Sequence, residues 1–95
     1  MSLRMNPQEP TTDALDERLP PDVAARLAEA GVTDTGEVAL RLELERRATS
    51  YTLFRLPPAA ARKWKARYRI MLAAEYLDSQ TVTEAYARAV LATMR

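Results

Sequence analysis

The sequence predicts a mainly α fold, a small helical domain with a C-terminal helical hairpin and at most one or two short strands. Its 95 residues suit a single domain. Apolar residues recur at helical spacing in the second half, and helix-start signals precede both predicted C-terminal helices. The expected organisation is a flexible N-terminal tail over residues 1–20 and a single helical domain over residues 21–95.

The first elements are predicted from prolines and a glycine. Three prolines lie among polar and acidic residues in the first 20 positions, with few large apolar side chains between them, which is typical of a tail. Pro21 then suits the first turn of a short helix in which Val23 and Leu27 share one face. Gly31 is placed to end that helix.

The stretch Glu37–Arg47 leaves two interpretations open. Apolar residues occupy every second position from Val38 to Leu44, which is strand periodicity. Most residue types here are strong helix formers, and Glu43 with Arg47 forms a favourable i, i+4 pair. We expect a helix, with a β-hairpin closed near residues 46–50 as the alternative.

The second half predicts one strand and two helices. Ser50–Leu56 is the best strand candidate, since aromatic and β-branched residues favour an extended chain and two prolines end it. Pro58 suits the first turn of a long helix, predicted over about 58–77. A capping box at Thr81–Glu84 opens a last helix, predicted over about 82–94.

A helix over 58–77 would carry apolar side chains on two opposite sides. Such a helix is sandwiched, here between the last helix and a partner subunit. A short chain also gains stability from partner surface. The sequence therefore predicts a homodimer whose interface contains Trp64, Tyr68, Ile70, Met71 and Leu77.

Composition excludes several function classes. The chain has no cysteine and no histidine, so it cannot form a zinc finger, a thiolate nucleophile or an imidazole base. It also lacks a paired-carboxylate motif and a glycine-rich phosphate loop, so we expect no enzyme activity, cofactor, metal or small-molecule substrate. With no apolar run near the roughly 20 residues that span a bilayer and no signal-peptide pattern, the expected location is cytoplasmic, away from membranes.

Charge is segregated along the chain. Residues 1–45 contain four Arg and ten acidic residues, whereas residues 46–95 contain ten Lys and Arg and three acidic residues. This asymmetry indicates either a nucleic-acid surface in the basic half or pairing between the halves. Five cations lie within eight residues and have no acid among them: Arg62, Lys63, Lys65, Arg67 and Arg69.

The order of elements from Phe54 onward is a short strand ending in Arg-Leu-Pro, a helix, a turn, and a helix that opens with two threonines. Over about residues 51–95 this order resembles the ribbon-helix-helix family of dimeric bacterial DNA-binding repressors and antitoxins. In that family, paired strands enter the DNA major groove and the start of the second helix contacts phosphate. The resemblance implies that Phe54 and Leu56 face the core, while Tyr51, Leu53 and Arg55 point toward base edges.

The expected function is therefore that of a small nucleic-acid-binding dimer, such as a transcriptional regulator or antitoxin, with DNA as its partner. The resemblance adds Arg55 at the base edges and two threonines as phosphate contacts to the five cations found by charge. The predicted nucleic-acid-binding residues are Arg55, Arg62, Lys63, Lys65, Arg67, Arg69, Thr81 and Thr83. The alternative is a helical protein–protein interaction or assembly module, in which the cations meet the acids of the N-terminal half.

Overall fold

Four helices and one antiparallel sheet form the part of the chain that the computed structural model describes, residues 18–95. The helices are α1 (Pro21–Glu29), α2 (Glu37–Arg47), α3 (Pro58–Trp64) and α4 (Val82–Ala92). The strands are β1 (Thr52–Arg55), β2 (Tyr68–Leu72) and β3 (Glu75–Ser79), in the spatial order β1-β2-β3. Residues 1–17 of the predicted tail lie outside the described residues.

The prediction of a mainly α fold with a C-terminal helical hairpin is wrong. The long helix expected over 58–77 ends at Trp64, and the residues beyond it form β2 and β3. Lys65 adopts the left-handed conformation, with φ 55° and ψ 43°, which ends an α-helix. Ala73, with φ 54°, turns the chain between the two strands. Glycine usually occupies such positions, so the sequence carries no signal for either break.

Other predicted elements are confirmed. Glu37–Arg47 is helical, because its buried Leu40 and Leu44 lie four residues apart on one face. The strand candidate forms β1, and the first short helix forms α1. The last helix begins after Thr81, whose Oγ1 accepts a hydrogen bond from the Glu84 N–H at 3.0 Å.

Helix α4 lies at the centre of the fold, with α1 and α2 on one side and the sheet on the other. Its alanines allow this close approach on both sides, and most of its residues are buried. Val23 and Leu27 of α1 and the two leucines of α2 complete the core on the helical side. On the sheet side, Ile70 of β2 is fully buried in the same core. One face of the sheet is therefore covered by α4.

Candidate nucleic-acid interface

The opposite face of the sheet, here called the outer face, carries side chains from all three strands. Pairing places Thr52, Met71 and Tyr76 in one row across the strands. It places Phe54, Arg69 and Asp78 in the next row on the same face. Successive side chains of a strand point to opposite faces, so every second residue shares a face. These six residues, together with Trp64 at the end of α3, form the outer face.

Large apolar side chains remain exposed on this face. Tyr76 is 60% exposed, Trp64 52% and Met71 37%, while Phe54 is half-buried. Helix α3, which carries Trp64, has no buried residue of its own. Scattered exposed hydrophobic residues are ordinary, but a contiguous apolar patch on a sheet marks an interaction site.

Arg69 links the two exposed rings. Its guanidinium carbon lies 5.7 Å from the centre of the Trp64 ring and 4.9 Å from that of the Tyr76 ring, both within cation–π distance. Asp78 holds this guanidinium from the neighbouring strand, with Nε donating to Oδ1 at 2.7 Å and Nη2 donating to Oδ2 at 3.0 Å. This hydrogen bonding raises the pKa of Arg69. The rings are thus arranged around a fixed positive charge.

More positive charge surrounds the outer face. Residues 55–69, here called the basic segment, contain six cations and no acid. Lys63 Nζ lies 5.1 Å from the centre of the Trp64 ring. Within residues 18–95, Arg55, Arg62, Lys63 and Lys65 are exposed and have no ion pair. An open groove of about 450 Å³ at the junction of β1 and α3 is lined by Arg55, Leu56, Pro57, Pro58, Ala61 and Arg67.

Two of the three acids of α2 have partners outside the basic segment. Glu43 accepts a hydrogen bond from Arg47 Nε at 2.6 Å and another from Arg46, and these bonds lower the pKa of its carboxyl group. Glu45 accepts a hydrogen bond from the Tyr51 hydroxyl at 2.7 Å. These two acids therefore do not pair with Arg55, Arg62, Lys63 or Lys65.

The two threonines predicted to contact phosphate have other roles. Thr81 caps α4, and its hydroxyl is occupied by the Glu84 N–H. Thr83 is 3% exposed, and its hydroxyl has no hydrogen-bond partner. Thr83 is the second residue of α4, where the helix packs into the core, so its hydroxyl is not exposed to a phosphate as predicted.

The strand residues also differ from what the family resemblance implies. Leu53 faces the core and Phe54 the outer face, because β1 pairs with β2 of the same chain. Tyr51 packs edge-on against Tyr86, with ring centres 6.0 Å apart, and burial raises the pKa of its hydroxyl. Of the three residues expected at base edges, Arg55 is the exposed one.

The predicted dimer-interface residues separate into two groups. Ile70 is buried, while Tyr68 and Leu77 are half-buried against the chain's own core. Trp64 and Met71 are exposed on the outer face. The first three stabilise the fold of a single chain, and only the other two are available to a ligand or partner.

Sequence reasoning missed four residues of the outer face: Thr52, Phe54, Tyr76 and Asp78. Tyr76 and Asp78 reach this face only through the β2–β3 hairpin, which the predicted long helix excluded. The alternation of Tyr68, Ile70 and Leu72 with Arg69 and Met71 was the available signal, since period two is typical of a strand with one buried face.

No protein-family profile, curated protein or solved structure matches this chain. The resemblance to the ribbon-helix-helix family therefore stays a prediction. Each helix within residues 18–95 is too short or too polar to span a bilayer.

Proposed function

We propose that this protein binds nucleic acid through the basic segment, residues 55–69. The observation that carries the proposal is the run of six cations without an acid, four of which are exposed and lack an ion pair within residues 18–95. Unpaired like charges this close repel one another, and a polyanion removes that repulsion. Phosphate groups at regular spacing suit such a surface.

The local structure supports the same function. Lys63 and Lys65 flank Trp64 at the end of α3, and Arg55 lies where β1 leads toward that helix. The left-handed conformation of Lys65 turns the chain back toward the sheet, and Lys63 of α3 and Arg69 of β2 both lie near the Trp64 ring. Cations from a helix and a strand thus lie close together at Trp64.

The alternative, an interaction module in which these cations meet the acids of the N-terminal half, has less support. Within the described residues, Glu43 is bound by its own helix and Glu45 by Tyr51. Glu84 pairs with Arg88 and Glu75 with Arg95. Within residues 18–95, Arg69 of the basic segment pairs with Asp78, which comes from β3 rather than from the N-terminal half.

The test is fluorescence anisotropy of labelled DNA of about 20 nucleotides, longer than the roughly 4–16 nucleotides of a compact single-strand site. Both the single strand and its duplex are titrated at rising salt. We expect binding at about 50 mM salt that weakens steeply toward 200 mM, with a log–log slope of about −0.9 per phosphate neutralised on duplex and about −0.7 on single strands. No binding of either form at low salt would contradict the proposal.

A triple variant identifies the surface. Arg62→Gln, Lys63→Gln and Lys65→Gln together should make the slope shallower by about 2–3, since each lost phosphate contact removes about 0.7–0.9. The matched control removes three arginines from α1 and α2, Arg26→Gln, Arg41→Gln and Arg46→Gln, which changes net charge equally. Equal losses in the two triple variants would show that net charge alone attracts DNA, and would overturn the assignment to residues 55–69.

A further inference from the structure

We infer that the ligand is single-stranded nucleic acid, whose bases stack on the aromatic side chains of the outer face. This inference rests on the proposed function and names the class of its ligand. It draws on a different set of residues, the exposed rings of the sheet rather than the cations beside them.

The outer face offers ring surfaces to solvent from separate elements. Trp64 comes from the end of α3, Tyr76 from β3 and Phe54 from β1, with Met71 between the last two. Tyr76 and Trp64 are each more than half exposed. Aromatic side chains spaced across an open sheet are the arrangement on which unpaired bases stack, because every base has a flat π face.

Arg69 and Asp78 keep this platform in place. The guanidinium lies within cation–π distance of the Trp64 and Tyr76 rings and is hydrogen-bonded through two nitrogens to the carboxylate on the next strand. A side chain held by a paired carboxylate loses little freedom when a ligand binds. The rings are therefore positioned before a base arrives.

The charge around this apolar face favours a single nucleic-acid strand over a second copy of the chain as its ligand. A second copy of the chain would bring its own basic segment against this one, and like charges at an interface are unfavourable. A single nucleic-acid strand brings phosphates for the cations and bases for the rings. A duplex satisfies the cations, but its bases are stacked on each other, so their faces are not available to Trp64 and Tyr76.

The experiment compares the labelled single strand with its duplex on the wild type and on Trp64→Ala and Tyr76→Ala. We expect the wild type to prefer the single strand. Each variant should weaken single-strand binding by about 5- to 150-fold, the range expected for loss of one base stack. Duplex binding should change by less than about 3-fold, because the phosphate contacts remain. Trp64→Phe and Tyr76→Phe keep a ring and should restore most of the affinity.

The matched control is Leu42→Ala, which shortens an exposed apolar side chain on α2, away from the sheet. It should bind the single strand like the wild type. Circular dichroism melting shows that each variant is folded, as expected for substitutions at exposed side chains.

Three results would overturn this inference. One is duplex binding as tight as single-strand binding, and another is unchanged single-strand affinity in both alanine variants; in either case cation-dependent binding would leave the proposed function standing. The third is a wild-type dimer that Trp64→Ala converts to a monomer in light scattering, since a second copy would then cover the outer face. Failure of both DNA forms to bind at low salt removes the proposed function itself.

Discussion

The two faces of the sheet differ most clearly between neighbouring residues of one strand. Ile70 points under α4 and is fully buried, whereas Met71 points the other way and is exposed. The inner face carries Leu53, Tyr68 and Leu77 beside Ile70 and is closed by an alanine-rich helix. The outer face carries tryptophan, tyrosine and phenylalanine with no described element over it. Aromatic residues usually provide much of a core, and their place on the open side is why we propose a ligand there.

The largest expected difference between the two faces is in how much a substitution on each face changes the stability of the fold. Ile70→Ala should lower the free energy of unfolding by about 2–5 kcal/mol, because it leaves a cavity in a fully buried site. Met71→Ala, one residue along, should change it by less than about 1 kcal/mol. Urea unfolding followed by circular dichroism measures both. Similar losses in the two variants would mean that the outer face is covered in solution.

A smaller stability effect tests the turn of the hairpin that joins β2 and β3. Ala73 has a positive φ of 54°, which a residue with a Cβ adopts at a penalty. Ala73→Gly should therefore raise the free energy of unfolding by about 0.5–1 kcal/mol, whereas Ala74→Gly, at a position without positive φ, should lower it by a similar amount. Neither change touches the outer face, so DNA affinity should stay at the wild-type value. Destabilisation by Ala73→Gly would show that the turn has another conformation.

The smallest expected effect is on the stability of a variant in α2, a helix that is not part of the sheet. It gives a baseline for the stability changes expected on the two faces of the sheet. Hydrogen bonds from Arg47 and Arg46 lower the pKa of Glu43 from its ordinary value of 4.5. Its ion pairs therefore stabilise the fold fully at a pH above 4.5. That stabilisation is lost as the pH falls through the lower pKa of the folded protein. Glu43→Gln should thus reduce stability by a few tenths of a kcal/mol at pH 7. The difference in unfolding free energy between the variant and the wild type should vanish in acid. A difference that grows on acidification would contradict the ion pairing of Glu43.

Helices α2 and α4 could be predicted from local chemistry. Helix-forming residue types and a buried leucine pair outweighed the alternating pattern of α2. The capping box at Thr81 marked the start of α4. These signals lie within one or two turns of chain, so they do not depend on distant contacts.

The sheet could not be predicted in the same way. Residues 62–72 contain mostly good helix formers, and the break at Lys65 uses a left-handed conformation that lysine rarely adopts. Pairing with β1 and β3 then decides the outcome, and such pairing is non-local. The candidate site could be predicted only in part for the same reason. Its cations form a run in the sequence, but Trp64 and Tyr76 come together only through the β2–β3 hairpin.

The most direct test of the open outer face is the intrinsic fluorescence of Trp64, the single tryptophan of the chain. Single-stranded DNA is added to the protein while Trp emission and DNA anisotropy are recorded together. We expect saturable quenching with the same midpoint as the anisotropy change, because a base stacks on the indole, and weaker quenching with duplex. Binding seen by anisotropy with unchanged Trp64 emission would contradict the account, since the ligand would then lie elsewhere on the protein.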